Sequence, residues 1–397
     1  MHSTPLPPLS LKRKFLLVVI VPLVCLGSLE IGARILLSLG VGAPKNDQPT
    51  QLEMPTWMLQ DANGLARRNP TAETLDWLTM FVSGTGYRVH LLPNTSRRVH
   101  NTFSLIAADR EQLYTIESNS LGFRSPELTT PKDPSTFRIA VFGDSSSFGW
   151  GVNYEDSWGA LLQNALQSES AGKKIEVVNF AIPGDSSAYG TLLFNTFAPR
   201  TQADLFILGF GANDAKPVLA SHTKQVNRFT GNTSLLSIAS ILKYSAVVRL
   251  IENVIAEAKK QSLAAKAKKQ PRVPAVTLPE YAENLTTMAK SGAQLGAKNT
   301  LLLTLCTPNN YIKRARGVAR KNHLLWYNGQ GNLIRALPEI QAGKLYPDYV
   351  AKMKAVYPKA LAKNKLFYIT SDGCHPNELG HRFVADELTK IVAPVVK

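Results

Sequence analysis

The sequence predicts an α/β fold, a parallel sheet with helices packed on both faces. Three observations carry that reading. Short apolar runs bounded by turn residues recur from residue 137 onward: FRIAVF, IEVVNF, DLFILG, NTLLLTLC and KLFYIT. Between them lie stretches with helical period, such as SWGALLQNALQ and LPEYAENLTTMAKSGAQLG. Strand and helix in alternation mark crossover units, whose strands run parallel. The chain also has 397 residues, too many for one compact core, so one large domain with additions is expected.

The additions begin at the amino terminus. Residues 1–14 end in Lys12-Arg13-Lys14 and read as a basic cytoplasmic tail. Residues 15–37 read as a transmembrane signal anchor. The uninterrupted apolar run, FLLVVIVPLVCLGSL, covers 15–29. That is short of the ~20 residues a bilayer span needs. Glu30 and Arg34 follow at a spacing that lets them pair on one helix face, and apolar residues continue to Leu39. One tilted helix of roughly 25 residues fits the bilayer. The alternative is a cleaved signal peptide, but no small-x-small site follows the run. The basic cluster before the span sends the rest of the chain across the membrane.

Residues 41–135 read as a small β-containing accessory region, from alternating segments such as GYRVHLLPN and EQLYTIESNSLGFRSPE. Residues 136–397 form the main domain, with a helical basic insertion at about 217–280. Within the insertion, TSLLSIASILKYSAVVRLIENVIAEAKKQ (233–261) is amphipathic. It reads as a cover for the sheet edge, with a lid or a membrane-lying surface as the alternative.

The formal net charge is +16. Such an excess attracts anionic lipid, acidic polymers or nucleic acid. The densest basic runs, 258–272 and 312–321, lack the interleaved aromatics of a nucleic-acid surface, so no nucleic-acid partner is expected. The three cysteines, Cys25, Cys306 and Cys374, make neither a disulfide scaffold nor a CxxC metal site.

In an open parallel sheet, ligands bind beyond the carboxyl ends of the strands. The turns there hold Gly-Asp-Ser with Ser145, then AIPGDSS with Gly184, then FGANDAK with Asn213 and Asp214, then SDGCHPNELGH with Asp372 and His375. Acyl transfer needs a nucleophile, a base, a group that orients the base, and donors for the oxyanion. Ser145 opens a helix and is the candidate nucleophile. His375 is the candidate base, with Asp372 three residues before it to fix its tautomer. Gly184 can present a backbone N–H closely, and Asn213 offers a side-chain amide.

The second Gly-Asp-Ser makes Ser186 a local rival, but it leaves the first block without a role. Ser146 and Ser147 read as helix caps. His381 reads as a structural or surface residue. No Gly-x-Ser-x-Gly elbow occurs.

These four blocks, in this order, resemble those of the SGNH, or GDSL-like, hydrolases. The resemblance runs from about Phe137 to the end, and NSLGFRSPE (119–127) resembles the segment before the catalytic domain in membrane-anchored bacterial members. The residue after Ser145 is Ser146 rather than the commoner Leu, which bears on subclass only. The resemblance implies a three-layer, flavodoxin-like sheet. It implies Ser145, Asp372 and His375 as catalytic residues, and the Ser145 N–H, Gly184 N–H and Asn213 side chain as the oxyanion hole. The mechanism needs no metal or organic cofactor, and no ligand-spacing motif asks for one.

If the strands behind them are neighbours, Cys306 and Cys374 can form a disulfide. The alternative is two half-buried thiols.

The expected protein is a membrane-anchored serine ester hydrolase in the bacterial inner membrane, single-pass, its catalytic domain facing the periplasm or outside. It would deacylate an acylated small molecule, an envelope carbohydrate or a lipid ester. Alternatives are an O-acyltransferase that modifies an exported or envelope polysaccharide, and a non-catalytic envelope scaffold.

Overall fold

The computed structural model describes residues 21–38, 80–84, 86–101, 104–170, 172–230, 247 and 272–396. All of the 41–79 stretch, and all of 233–261 but residue 247, therefore lies outside the described residues. The chain divides into two compact units, Met1–Leu52 with Asn232–Gln270, and Glu53–Gly231 with Pro271–Lys397.

In the first unit, Val21–Ser38 is a helix. Arg34 pairs with Glu30 one turn earlier, at 2.9 Å. Leu26, Leu29, Ile31 and Ile35 are exposed on its surface. No described helix is long and apolar enough to cross a membrane. At 18 residues this one is about 27 Å long, and the Glu30–Arg34 pair lowers its hydropathy. The expected transmembrane span 15–37 is thus not supported by the described helix; its residues 15–20 lie outside the described residues.

The second unit begins with two short antiparallel ladders. Phe81–Ser83 (β1) pairs with Val89–Leu91 (β2), and Ser96–His100 (β3) with Leu113–Glu117 (β4). A five-stranded sheet follows. Its strands are Thr136–Gly143 (β5), Lys174–Asn179 (β6), Leu205–Gly209 (β7), Asn299–Leu303 and Leu325–Tyr327. Between β7 and the fourth of these, Pro217–Val218 (β8) pairs antiparallel with Val273–Pro274 (β9), so the insertion leaves and returns through a narrow neck. The last two sheet strands are then β10 (Asn299–Leu303) and β11 (Leu325–Tyr327).

All neighbours in the five-stranded sheet are parallel, in the order β11-β10-β7-β5-β6. Counted along the sheet, this is the flavodoxin-like order 2-1-3-4-5, and its direction reverses between β5 and β7.

Alternate residues of the strands feed two cores. Ala140 and Phe142 face the helices Ser187–Thr201, Leu278–Gln294 and Asn309–Lys321. Ile139 and Val141 face Trp158–Glu169, Gly329–Gln341 and Glu378–Val396. Because both faces are covered, β5 and β7 are buried along their whole length. Accessory residues Leu91, Ile116 and Phe123 belong to the first of these cores. The accessory ladders and the sheet therefore share one interior.

One predicted strand is corrected. KLFYIT does not join the sheet. Lys365–Tyr368 is a 3₁₀ turn, closed where Asn364 Oδ1 accepts from the Leu366 N–H at 3.0 Å. Phe367 and Ile369 still bury in the second core, which is why the run is apolar. A short apolar run reports burial, not ladder pairing. The fifth strand is instead β11, only three residues long, drawn from HLLWY.

Candidate active site

The turns at the carboxyl ends of β5 and β7 meet at the switch point. After β5, the Asp144 carboxylate accepts the Ser146 N–H at 2.9 Å and caps a four-residue helix, Ser145–Phe148. Asp144, not Ser146 or Ser147, is the cap, which corrects the expected capping role of those serines. The helix is one turn long, so its dipole adds little at Ser145. Gly143 and Gly209 are glycines for a steric reason. A Cβ on Gly143 would stand 2.6 Å from Ser147 Oγ, and one on Gly209 would overlap the same hydroxyl.

Ser145 and His375 are 230 residues apart in sequence, yet His375 Nε2 lies 2.8 Å from Ser145 Oγ. His375 Nδ1 lies 2.6 Å from Asp372 Oδ2. The other carboxylate oxygen, Asp372 Oδ1, accepts the backbone N–H groups of Cys374 and His375, at 2.9 and 2.7 Å. One tight turn thus fixes the carboxylate, and the carboxylate fixes the imidazole. With the Nδ1 proton facing Asp372, Nε2 is free to accept from the serine hydroxyl.

The electrostatics follow from the same contacts. Burial disfavours charge on His375, but the Asp372 carboxylate and its hydrogen bond outweigh it, and the net pKa is raised. Burial likewise opposes charge on Asp372, and His375 with the two backbone donors outweighs it and holds the pKa low. Asp144 has no such partner set. Its burial pushes the pKa up to about 6.

The expected oxyanion donors sit in the turns behind β5, β6 and β7. Gly184 has φ +81°, a backbone conformation that favours glycine. Asn213 gives one side-chain N–H to the Asp185 carbonyl at 3.0 Å, leaving its second for a ligand. Ser145 supplies its own N–H at the start of the short helix.

The second Gly-Asp-Ser has a different environment. Ser186 is fully buried at the start of Ser187–Thr201, as its helix-start reading requires. Its Oγ lies 2.9 Å from His222 Nδ1. Burial pushes the His222 pKa down to about 4, so that imidazole is neutral. Ser186 has no exposed surface, whereas Ser145 keeps 6%. His381 is also buried; its Nδ1 accepts the Trp158 N–H at 3.2 Å, a structural contact.

Cys306 and Cys374 form a disulfide, with Cα atoms 4.8 Å apart, and it ties the loop carrying His375 to the end of β10. Among the described residues, the one cluster of three potential metal ligands is Asp372, Cys374 and His375. Its sulfur is taken by the disulfide and its other two members by each other.

Two residues from quoted motifs have roles that the sequence does not show. Asp214, next to Asn213, is buried and receives the Ser187 N–H at 3.0 Å and the Ser187 hydroxyl at 2.5 Å. Burial raises its pKa to about 7. Arg124, from NSLGFRSPE, is buried and donates to the carbonyls of Gly149 at 2.6 Å, Val152 at 2.7 Å and Thr115 at 2.9 Å. It fastens the loop after Ser145 to β4. The NSLGFRSPE segment staples itself: Asn119 Oδ1 accepts from Leu121 and Phe123, and Glu127 accepts from the backbone and hydroxyl of Ser120.

Residues 141–329 match the GDSL-like Lipase/Acylhydrolase family. That stretch is a little under half of the chain, and over it the chain is similar to this family. An arylesterase of Vibrio mimicus is 34% identical over 77 residues, which is 19% of this chain and 38% of the relative. Esterase TesA of Pseudomonas aeruginosa is 34% identical over 89 residues, 22% of this chain and 43% of the relative. The chain thus spans less than half the length of these curated relatives. A crystal structure of TesA superposes with a TM-score of 0.37 at 17% identity, covering 65% of this chain and 99% of that one. The family match begins within β5, just ahead of Ser145, and ends at Gly329, before Asp372 and His375.

A groove lies outside the triad. A cavity of about 790 Å³ runs between the helices Leu278–Gln294 and Asn309–Lys321, lined by Lys290, Lys313, Arg314 and Lys321 with one carboxylate, Glu283. A second cavity, about 480 Å³, shares Leu278 and Asn310 with it and reaches Ala215, two residues past Asn213.

Proposed function

We propose that this chain is a membrane-anchored serine ester hydrolase that deacylates an envelope carbohydrate or lipid ester. The observation that carries the reading is the continuous contact chain Asp372–His375–Ser145, at 2.6 and 2.8 Å. In the reaction, the Ser145 hydroxyl gives its proton to His375 Nε2 as Oγ attacks the ester carbonyl. The Ser145 and Gly184 N–H groups and the Asn213 amide receive the oxyanion, and Asp372 stabilises the imidazolium. His375 then protonates the departing alcohol. Water repeats the sequence on the acyl-serine, and free acid leaves.

The basic groove supports an acidic substrate: its lining holds four cations and one carboxylate. An exported location is supported by the Cys306–Cys374 bond, since disulfides persist in oxidising compartments, and by Lys12-Arg13-Lys14 ahead of an apolar segment. Extraction of membranes with carbonate tests the anchor; release of the full chain would remove that part of the reading.

The decisive experiment is Ser145→Ala assayed on short-chain nitrophenyl esters. Loss of turnover and of fluorophosphonate labelling is expected. Unchanged turnover would sink the hydrolase reading.

A further inference from the structure

Arg88 belongs to the accessory region, immediately before β2, yet its side chain reaches the oxyanion loop. Its Nε donates to Asp185 Oδ1 at 2.7 Å, its Nη2 lies 2.5 Å from the same oxygen, and Nη2 donates to the Pro183 carbonyl at 3.0 Å. The two side chains are only 8% and 3% exposed. Arg88 therefore grips the residues on either side of Gly184. The Pro183 carbonyl and the Gly184 N–H belong to one planar, trans peptide unit. Fixing the oxygen fixes the N–H to point the opposite way. Two residues on, the Asp185 carbonyl accepts the Asn213 side-chain amide at 3.0 Å. Asp185 is thus the joint between both expected oxyanion donors that lie outside the nucleophile's own turn.

We propose that Arg88 is a positioning residue: by holding Pro183 and Asp185 it aims the Gly184 N–H and the Asn213 amide at the oxyanion. The inference rests on the esterase reading above. Stability alone gives no reason for the arrangement. A buried ion pair rarely adds net stability over apolar packing, and Arg88 Nη1 has no hydrogen-bond partner among the described residues. The guanidinium is backed by the Tyr189 ring, 5.3 Å from its centroid, which limits the directions it can take. Its charge also lies behind the Pro183 carbonyl, where it polarises the peptide and strengthens the Gly184 N–H as a donor.

The test uses the full chain with Arg88→Ala, Arg88→Lys and Asp185→Asn, beside Ser145→Ala and Asn213→Ala. The readouts are kcat and KM on nitrophenyl acetate, the inhibition constant of an alkyl boronic acid that forms a tetrahedral adduct on serine, and thermal unfolding. Misplacing a catalytic group by about 1 Å costs up to about 100-fold. Arg88→Ala is expected to lower kcat about 10- to 100-fold with KM little changed, and to weaken the boronate in proportion. Arg88→Lys recovers part of the loss. In Arg88→Ala combined with Asn213→Ala, the losses fall well short of multiplying.

If Arg88→Ala does not fold, Arg88→Lys and Asp185→Asn carry the same test. A loss of kcat in folded variants with the boronate constant unchanged overturns the inference. So does wild-type kcat in Arg88→Ala while Ser145→Ala is inactive, which leaves the esterase reading standing. Activity that survives Ser145→Ala overturns both.

Discussion

Asp372→Asn should cost about 10⁴-fold in kcat while leaving KM and the fold nearly unchanged. The reason lies in how the carboxylate is held. Oδ1 accepts two backbone N–H groups, from Cys374 and His375, so only an oxygen can sit there. In the variant the amide oxygen must keep that position. Its NH₂ group then faces His375 Nδ1, which now lies 2.6 Å from Oδ2. Nδ1 must become an acceptor, so the imidazole proton moves to Nε2, 2.8 Å from Ser145 Oγ. Two donors then meet, and the base is lost although no atom has moved far. The same exchange in serine proteases costs about 10⁴ in kcat, or roughly 5.4 kcal/mol at 1.36 kcal/mol per decade. The pH profile should move as well. In the wild type kcat/KM rises as His375 loses its proton, at a pH above its ordinary 6.5, because Asp372 raises that pKa. The variant's residual activity should rise at lower pH. The assay is nitrophenyl acetate hydrolysis across pH 5–9, with circular dichroism to confirm folding. A variant within about tenfold of wild type, with its acid limb unmoved, would refute the role given to Asp372.

Three further outcomes are expected. Ser186→Ala should keep most of the activity that Ser145→Ala loses, at a stability cost of about 1 kcal/mol for the lost contact to His222, read by urea unfolding; the reverse pattern would exchange the two serines. Replacing Cys306 and Cys374 by serine removes a link across 68 residues, worth about 4 kcal/mol by chain entropy, and should lower both the urea midpoint and kcat, since Cys374 precedes His375; an unchanged midpoint would deny the bond a structural role. Asp214 has a folded pKa of about 7 against an ordinary 3.8, so the folded chain holds its proton more tightly and this group loses stability as pH climbs through that window; Asp214→Asn should flatten that fall, and identical slopes of unfolding midpoint against pH would contradict it.

The sequence shows the parallel sheet because buried central strands are written as unbroken apolar runs, FRIAVF and DLFILG above all. It misplaces the last strand because burial writes the same pattern in the 3₁₀ turn Lys365–Tyr368, while β11 offers only three residues to read. Ser145, Gly184, Asn213, Asp372 and His375 are legible because each sits in a turn directly behind an apolar run or shares a single turn with its partner. Arg88, Arg124 and His222 are not, because the contacts that matter reach residues 25 or more positions away: Asp185 for Arg88, Gly149 for Arg124 and Ser186 for His222. Asp144 belongs to a legible motif, but its capping role shows only in the contact of its carboxylate with the Ser146 N–H.

The grip of Arg124 has a practical meaning for where this protein begins. Its guanidinium joins β4 to the carbonyls of Gly149 and Val152, directly behind the turn that carries Ser145. A truncation at Phe137, where the strand–helix pattern starts, would amputate that strut and open the aromatic layer that Phe123 forms with Phe180 and Phe197. A fragment that keeps this strut therefore has to start upstream of β4, well before the strand–helix pattern begins.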